Sequence, residues 1–271
     1  MNCVANARII EELGLNIYVP PGAGDDGASL GAALFVYNCL LGKGRVYQMD
    51  DAYLGPSYST EYIQNFLETK KIKYKAYQKG EVARVTAKLV REGMIVGWFQ
   101  GKMEWGARAL GSRSILADAT NPKMKEILND RVKHREDFRP FAPVSTVEDA
   151  KKYFDIRQLD PFMVLVCDVR PEFREKLPSI THFDGSARLQ TIRREKNPQY
   201  YDAVKEFEKL SGIAVLINTS FNIRGEPIVC TPEDAFRCMM GTGIDVLVMD
   251  RYVIYKKDNA AYAWTSVVGE G

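Results

Sequence analysis

Four apolar runs of strand length punctuate the chain: 94–99 (MIVGWF), 162–167 (FMVLVC), 213–217 (IAVLI) and 244–249 (IDVLVM). Between them lie segments whose apolar residues recur at helical spacing. In 80–92, Val82, Val85, Leu89 and Val90 form such a stripe, ended by Gly93, and 121–131 turns Met124, Ile127 and Leu128 inward. Thr231-Pro232-Glu233-Asp234 reads as a helix start, with Thr as cap, Pro in the first turn and acids at the positive end of the helix dipole; that helix ends near Gly241 or Gly243. Residues 252–255 continue the sheet, and 60–70 are helical. Strands and helices mixed without strict alternation predict a mixed α/β or α+β architecture.

The first fifty residues read differently. A helix over 4–13 stops at Gly14, 15–19 (LNIYV) predict a short strand cut off by Pro20-Pro21, and a small-residue turn over 22–27 opens an alanine- and leucine-rich helix over 28–41 of the kind that is buried. Gly, Pro and the pair Asp50-Asp51 in 42–58 mark a change of domain, so that 1–49 and 50–271 are expected to be separate units. The end, 258–271, is expected to fray.

Of 271 residues, 46% are hydrophobic and 27% charged, which fits a globular chain with a core of its own. A formal net charge of +2 argues against a nucleic-acid coat protein, which needs a broad basic field. Five cysteines at irregular spacing, without a CxxC pair, predict reduced thiols and a cytoplasmic setting. No run of 18 apolar residues predicts a membrane span, and residues 1–6 carry no basic-then-apolar secretory pattern. The two histidines, His134 and His182, are too few and too far apart for a multi-histidine site within this chain.

Chemistry concentrates in five places. The loop 100–114 (QGKMEWGARALGSRS) follows an apolar strand; its glycines permit close backbone approach, and Arg108 and Arg113 supply permanent charge able to grip a phosphate or carboxylate through paired hydrogen bonds. A solvated loop with locally paired charges is an equally good reading. In 132–143 (VKHREDFRPFAP), Lys133, His134, Arg135 and Arg139 stand among prolines and two rings, Phe138 and Phe141, which are expected to pin the segment to the core; His134 is read as structural. Arg188 follows the turn 184–186. Asn218-Thr219-Ser220-Phe221-Asn222 follows an apolar strand, where small hydroxyl and amide side chains bind phosphate or ribose oxygens or cap their own turn. Gly24-Asp25-Asp26-Gly27 stands at a helix start, where capping is the simplest role for an aspartate.

The stretches GASLGAAL, GWFQGKMEWGARALGSRSILAD, NDRVKHREDFRPFAPV, LPSITHFDGSARLQT and NTSFNIRGEPIVCTPEDA together resemble the antibiotic and nodulation-factor O-carbamoyltransferases across residues 2–250. Ala107 and Trp105 stand where the family pattern has Pro and Phe. The resemblance implies an α/β YrdC-like domain over 50–271, with 1–49 as the remnant of a Kae1-like, actin-like ATPase domain. It also implies that the chain is a C-terminal fragment lacking a half that carries two metal-binding histidines. Either that half or a second copy is then expected to cover the 28–41 helix, which would otherwise leave an apolar patch. By motif position, Arg108, Lys133 and Arg139 match catalytic cations; Arg188, Asn218 and Ser220 match substrate contacts; Asp25 matches a metal ligand. The implied reaction takes carbamoyl phosphate and ATP to carbamoyl-adenylate and passes the carbamoyl group to a hydroxyl of a sugar-like or antibiotic-like acceptor, with a divalent iron or magnesium ion only in the full-length enzyme. A basic-cleft RNA-binding module and a non-catalytic partner subunit are the competing readings. The carbamoyltransferase reading requires Arg108, Lys133, Arg139 and Arg188 to converge on one cleft with Ser220 at its edge. An empty cleft is expected to hold phosphate, sulfate or water, or to borrow a neighbouring acid, and Lys133 is expected to be solvated, so that its loss weakens binding and spares folding.

Overall fold

The computed structural model describes residues 2–260. Eleven strands are present among them: β1 (Lys75–Ala76), β2 (Val96–Phe99), β3 (Arg113–Asp118), β4 (Ala142–Thr146), β5 (Phe154–Asp155), β6 (Cys167–Val169), β7 (Ser186–Ala187), β8 (Gln190–Ile192), β9 (Val215–Ser220), β10 (Val246–Met249) and β11 (Tyr252–Tyr255). The helices are α1 (Cys3–Leu13), α2 (Ala28–Phe35), α3 (Thr60–Thr69), α4 (Val82–Arg91), α5 (Met124–Leu128), α6 (Ala150–Tyr153), α7 (Pro171–Arg174), α8 (Pro198–Ser211) and α9 (Pro232–Gly241). Eight strands form one mixed sheet in the order β1-β11-β10-β2-β3-β9-β4-β8, and β5-β6-β7 form a small second sheet. The pairs β10–β2 and β4–β8 are parallel and the rest antiparallel, which is the expected mixed α/β architecture.

The central strands β2, β3 and β4 are buried along their whole length, as strands covered on both faces must be. Helices α4 and α8 pack together over β3, β4 and β9, while α9 packs on β2 and β10 and is backed by α3. The expected start of α9 is present in detail: Thr231 Oγ1 accepts from Asp234 N, and Asp234 returns the bond to Thr231 N.

Three local expectations fail. Residues 15–19 form no strand; they run as coil, tied at Ile17 by a two-way exchange with the Gln158 amide. Of 162–167 only Cys167 enters a strand, because the segment before it winds around the Asp160 carboxylate instead of pairing. The 121–131 helix is short, and its last residues open into a wide π turn, Asn129–Lys133. The end of the chain expected to fray begins within a 3-10 turn, Lys256–Asn259; residues 261–271 lie outside the described region.

The main core surrounds the large sheet. A second apolar cluster joins Ile10 and Met49 to Leu110, Phe162, Val164 and Leu165. Through it the first fifty residues rest on the loop that follows β2 and on the segment around Asp160. Helix α2 buries none of its residues; Phe35 is 56% exposed and Leu40 67%. Leu30 packs half-buried against the second cluster, but the rest of the apolar pattern, which runs on through the Val36–Leu40 turn, has little to bury it.

Candidate anion-binding site

Strand β9 is central in the sheet. Its register sets Asn218 opposite Leu116 of β3 and Ala142 of β4, and Ser220 opposite Ser114. Its C-terminal end therefore opens between the loop after β2 and the segment leading into β4. The β7–β8 connection brings Arg188 to the same place. The result is a cavity of about 280 Å³ lined by Arg108, Lys133, Arg135, Arg139, Arg188 and Arg224, with Glu136, Met163, Asn218, Ser220 and Asn222 among the remaining walls. Arg108, Lys133, Arg139, Arg188, Asn218 and Ser220, named from the sequence, thus all meet in one cavity. Asp25 does not: it sits on the Asp25–Gly27 turn, where no side chain supplies the expected helix cap and Asp26 Oδ1 accepts from Gly24 N.

The cations are held in different ways. Lys133 is buried, and its Nζ donates to Ser220 O at 2.6 Å, Asn222 Oδ1 at 2.9 Å and Asn222 O at 3.3 Å. Burial pushes its ammonium down to about 8. The expectation of a solvated lysine is overturned: Lys133 ties the π turn to the end of β9, because the sheet end offers acceptors where water cannot reach. Arg135 lies over the Phe141 ring at 4.8 Å and donates to Asn129 Oδ1. Arg139 pairs with Glu136 at 2.9 Å, the neighbouring acid expected of an empty site. Arg224 donates to the carbonyl of His134, which adopts a left-handed φ of 45° as it ends the π turn; the His134 side chain is exposed, so the contact is made by its main chain and not by the imidazole.

Arg108 and Arg188 are of another kind. Their Nε atoms are buried without a hydrogen-bond partner. Burial, and next the charge of Arg108, pull the Arg188 guanidinium below its ordinary value. Two like charges in poor solvent with unused donors are costly unless an anion completes them. The same cavity is lined by an acceptor in the same condition: Asn218 is 1% exposed, gives its Nδ2 to Ala109 O and Gln190 Oε1, and leaves Oδ1 without a partner.

Two other expectations change. Arg113 is fully buried on β3, donates to the carbonyls of Gln100, Gly101, Ser112 and Pro56, and stacks 3.6 Å from the centre of the Phe99 ring; it braces the loop and offers no charge to a ligand. Phe138 is 77% exposed, so Phe141 alone anchors its segment. Arg135 and Asn222 stand in the two clusters that the sequence marks around Lys133 and Ser220, although neither was singled out as a site residue, and both line the cavity. Nothing local marks Arg224.

Among the described residues no three His, Cys, Asp or Glu side chains gather so as to hold a metal ion. The residues present do not fit a metal site, and no step is derived through one. No helix among them is long and apolar enough to cross a membrane.

The sequence matches the family model described as Carbamoyltransferase C-terminus over residues 87–256. It is 43% identical over 283 residues to an uncharacterized protein of Synechocystis, covering 94% of this chain and 46% of that protein. It is 38% identical over 273 residues to the nodulation protein NolO of Bradyrhizobium diazoefficiens, covering 98% of this chain and 50% of the relative. The chain therefore spans about half the length of the curated relatives it matches. A crystal structure of full-length HypF in a phosphate- and nucleotide-bound form is similar at a TM-score of 0.45 and 20% identity, over 68% of this chain and 23% of that one. On the match over 87–256, which holds Arg108, Lys133, Arg139, Arg188, Asn218 and Ser220, the chain belongs to the carbamoyltransferase family and carries its C-terminal part.

Proposed function

We propose that the cavity at the end of β9 binds carbamoyl phosphate and the phosphates of ATP, and that carbamoyl-adenylate forms there: water cleaves carbamoyl phosphate to carbamate and phosphate, and a carbamate oxygen attacks the α-phosphorus of ATP, displacing pyrophosphate. The observation that carries this reading is the set of unused hydrogen-bonding atoms: the Nε donors of Arg108 and Arg188 beside the Oδ1 acceptor of Asn218. A bare phosphate satisfies the arginines and leaves the amide oxygen unpaired. Carbamoyl phosphate satisfies both, because its NH2 group donates where its phosphate accepts. Arg139, released from Glu136, joins Arg108 and Arg188 around the phosphates, where charge developing on the leaving oxygens is stabilised by fixed cations in a partly dry site. Lys133 contributes field from behind the wall and holds Ser220 and Asn222 in place. No covalent nucleophile is needed.

The carbamoyl group then goes to a hydroxyl of a sugar-like or antibiotic-like acceptor. We assign the acceptor pocket, and any iron or magnesium ion that Asp25 helps to hold, to the further half that relatives of twice this length possess. On this reading 1–49 belong with that half and 50–271 form the anion-binding domain. A cavity of about 280 Å³ suits phosphate-sized groups better than a nucleic-acid strand, and a steep salt dependence of RNA binding would favour the competing module.

The test is calorimetric titration with carbamoyl phosphate and with acetyl phosphate, which replaces NH2 by CH3. Carbamoyl phosphate is expected to bind tighter, and Asn218→Leu to erase the difference while sparing phosphate binding. Equal affinities in the unchanged chain, or full affinity in Arg108→Ala, refute the assignment. Exchange of labelled pyrophosphate into ATP in the presence of carbamoyl phosphate tests adenylate formation.

A further inference from the structure

Two buried carboxylates stand just behind the cavity and take no part in the chemistry proposed for it. Glu104 is 6% exposed; its Oε1 gathers Leu110 N at 2.7 Å, Ser112 N at 2.6 Å and Arg113 N at 3.3 Å. Asp160 is 5% exposed; its two oxygens gather Phe162 N at 3.0 Å, Val164 N at 2.7 Å and Leu165 N at 2.7 Å. Burial pushes both carboxyls up, Asp160 to about 6, and the amides work against that shift.

Each carboxylate closes a loop, and each loop supplies one wall of the cavity. The Glu104 loop has Arg108 at its tip, and its Ala109 carbonyl receives the Asn218 amide. It is closed so tightly that a side chain at Gly111, where φ is 105°, would stand 2.1 Å from the Tyr200 ring. The Asp160 loop turns Met163 into the cavity at a left-handed φ of 56°, a conformation that a long side chain adopts only when its surroundings impose it. The same loop faces other cavities with Phe162 and Leu165, so it is a partition rather than part of a solid core. Asp160 also supplies negative field to Arg188. Main-chain amides converging on a carboxylate leave the loop little freedom, since opening it would strand a buried charge.

We propose that Glu104 and Asp160 are positioning residues that preorganise the cavity for a phosphate group, Glu104 by fixing Arg108 and Asp160 by fixing the wall beside Arg188. This rests on the anion-cavity reading. Neither residue touches the ligand; both act through the loops they close.

The experiment titrates inorganic phosphate into the full chain and its Glu104→Gln and Asp160→Asn variants well below their melting temperatures. Ile254→Ala, a buried residue of β11 away from both loops, serves as a stability-matched control. Outer supports of a ligand site commonly contribute about 10- to 100-fold in affinity, so both variants are expected to bind phosphate at least about tenfold more weakly while the control binds as the unchanged chain does. Phosphate affinity in both variants equal to that of the control overturns the inference and leaves the cavity reading standing. Absence of phosphate binding in the unchanged chain overturns the cavity reading and the inference with it. Should the carboxylate variants fail to fold, Thr191→Val decides for the Asp160 loop: it removes only the hydroxyl that accepts from Asp160 N at 2.8 Å. Weakened phosphate binding at an unchanged fold supports the proposal, and unchanged affinity overturns it.

Discussion

Lys133 shows how a charged residue at a site combines structural and electrostatic work. Its ammonium meets three acceptors at the end of β9 and just after it, so Lys133→Ala removes that tie and leaves Asn222 Oδ1 and the Asn222 carbonyl without their lysine donor; it is expected to destabilise the chain by about 1–3 kcal/mol, measured by denaturant unfolding. That is the opposite of what a solvated lysine would show. The pH dependence follows from the same burial. With its folded value lowered to about 8 against 10.5 when solvated, Lys133 is charged in both states below pH 8, whereas between 8 and 10.5 only the unfolded state holds the proton. The Lys133 contribution to stability therefore rises with pH across that window and is lost as pH falls through about 8. Anion affinity moves the other way, because the cavity loses a positive charge. Sulfate, which stays a dianion throughout, is expected to bind more weakly as pH rises through 8, and an affinity flat from pH 7 to 9 would contradict this. Arg139 is the contrasting case. It is half exposed and paired at the rim with Glu136, so Arg139→Lys is expected to move stability by no more than about 0.5 kcal/mol. The same substitution weakens carbamoyl phosphate binding, since a point charge does not reproduce the guanidinium fork.

At the scale of elements, the sequence is legible wherever local chemistry and tertiary packing agree. The cap at Thr231, the stripe of α4 and the apolar strands β2, β9 and β10 could all be read from spacing, because each has the apolar pattern or cap chemistry that its packing in the fold uses. Thr231→Ala is accordingly expected to cost about 1 kcal/mol in thermal or denaturant unfolding, with phosphate affinity unchanged because α9 lies outside the cavity. The segment after Asp160 was illegible for a definite reason. An apolar run of six residues looks the same whether its amides pair with a strand or converge on a carboxylate, and only the fold decides which acceptor is nearer. The same holds for Arg108 and Arg113, five residues apart in one glycine-rich loop: one turns to the cavity and the other stacks under it on Phe99. Of the site residues that resemblance supplied, Arg108, Lys133, Arg139, Arg188, Asn218 and Ser220 gather in one cavity and Asp25 does not, whereas Arg224 became visible only once the loop after β9 was seen to fold back on His134.

Across the whole molecule, apolar surface is distributed unevenly. Most of the large hydrophobic side chains left exposed fall in the first 54 residues, including Leu13, Leu15, Phe35, Leu40, Leu41 and Val46. The rest of the described chain encloses its own core. Large apolar side chains exposed in such number mark a contact surface, and the relatives of which this chain spans about half the length possess additional chain to make it. We propose that the further half of such a protein covers α2. Two measurements follow. Backbone amides of α2, whose side chains are all accessible here, are expected to exchange hydrogen rapidly in the 271-residue chain and to become strongly protected in the longer protein, while α4 and α8, packed over the sheet, are protected in both. Phe35→Ser together with Leu40→Ser is expected to leave the melting temperature of the 271-residue chain within a degree or two, because these side chains touch little. In the longer protein the same pair lowers it, because the substituted side chains then sit in an interface core. Protection of α2 already complete in dilute 271-residue chain, or concentration-dependent protection with a second copy seated on the helix, would show that the face is satisfied without the additional half.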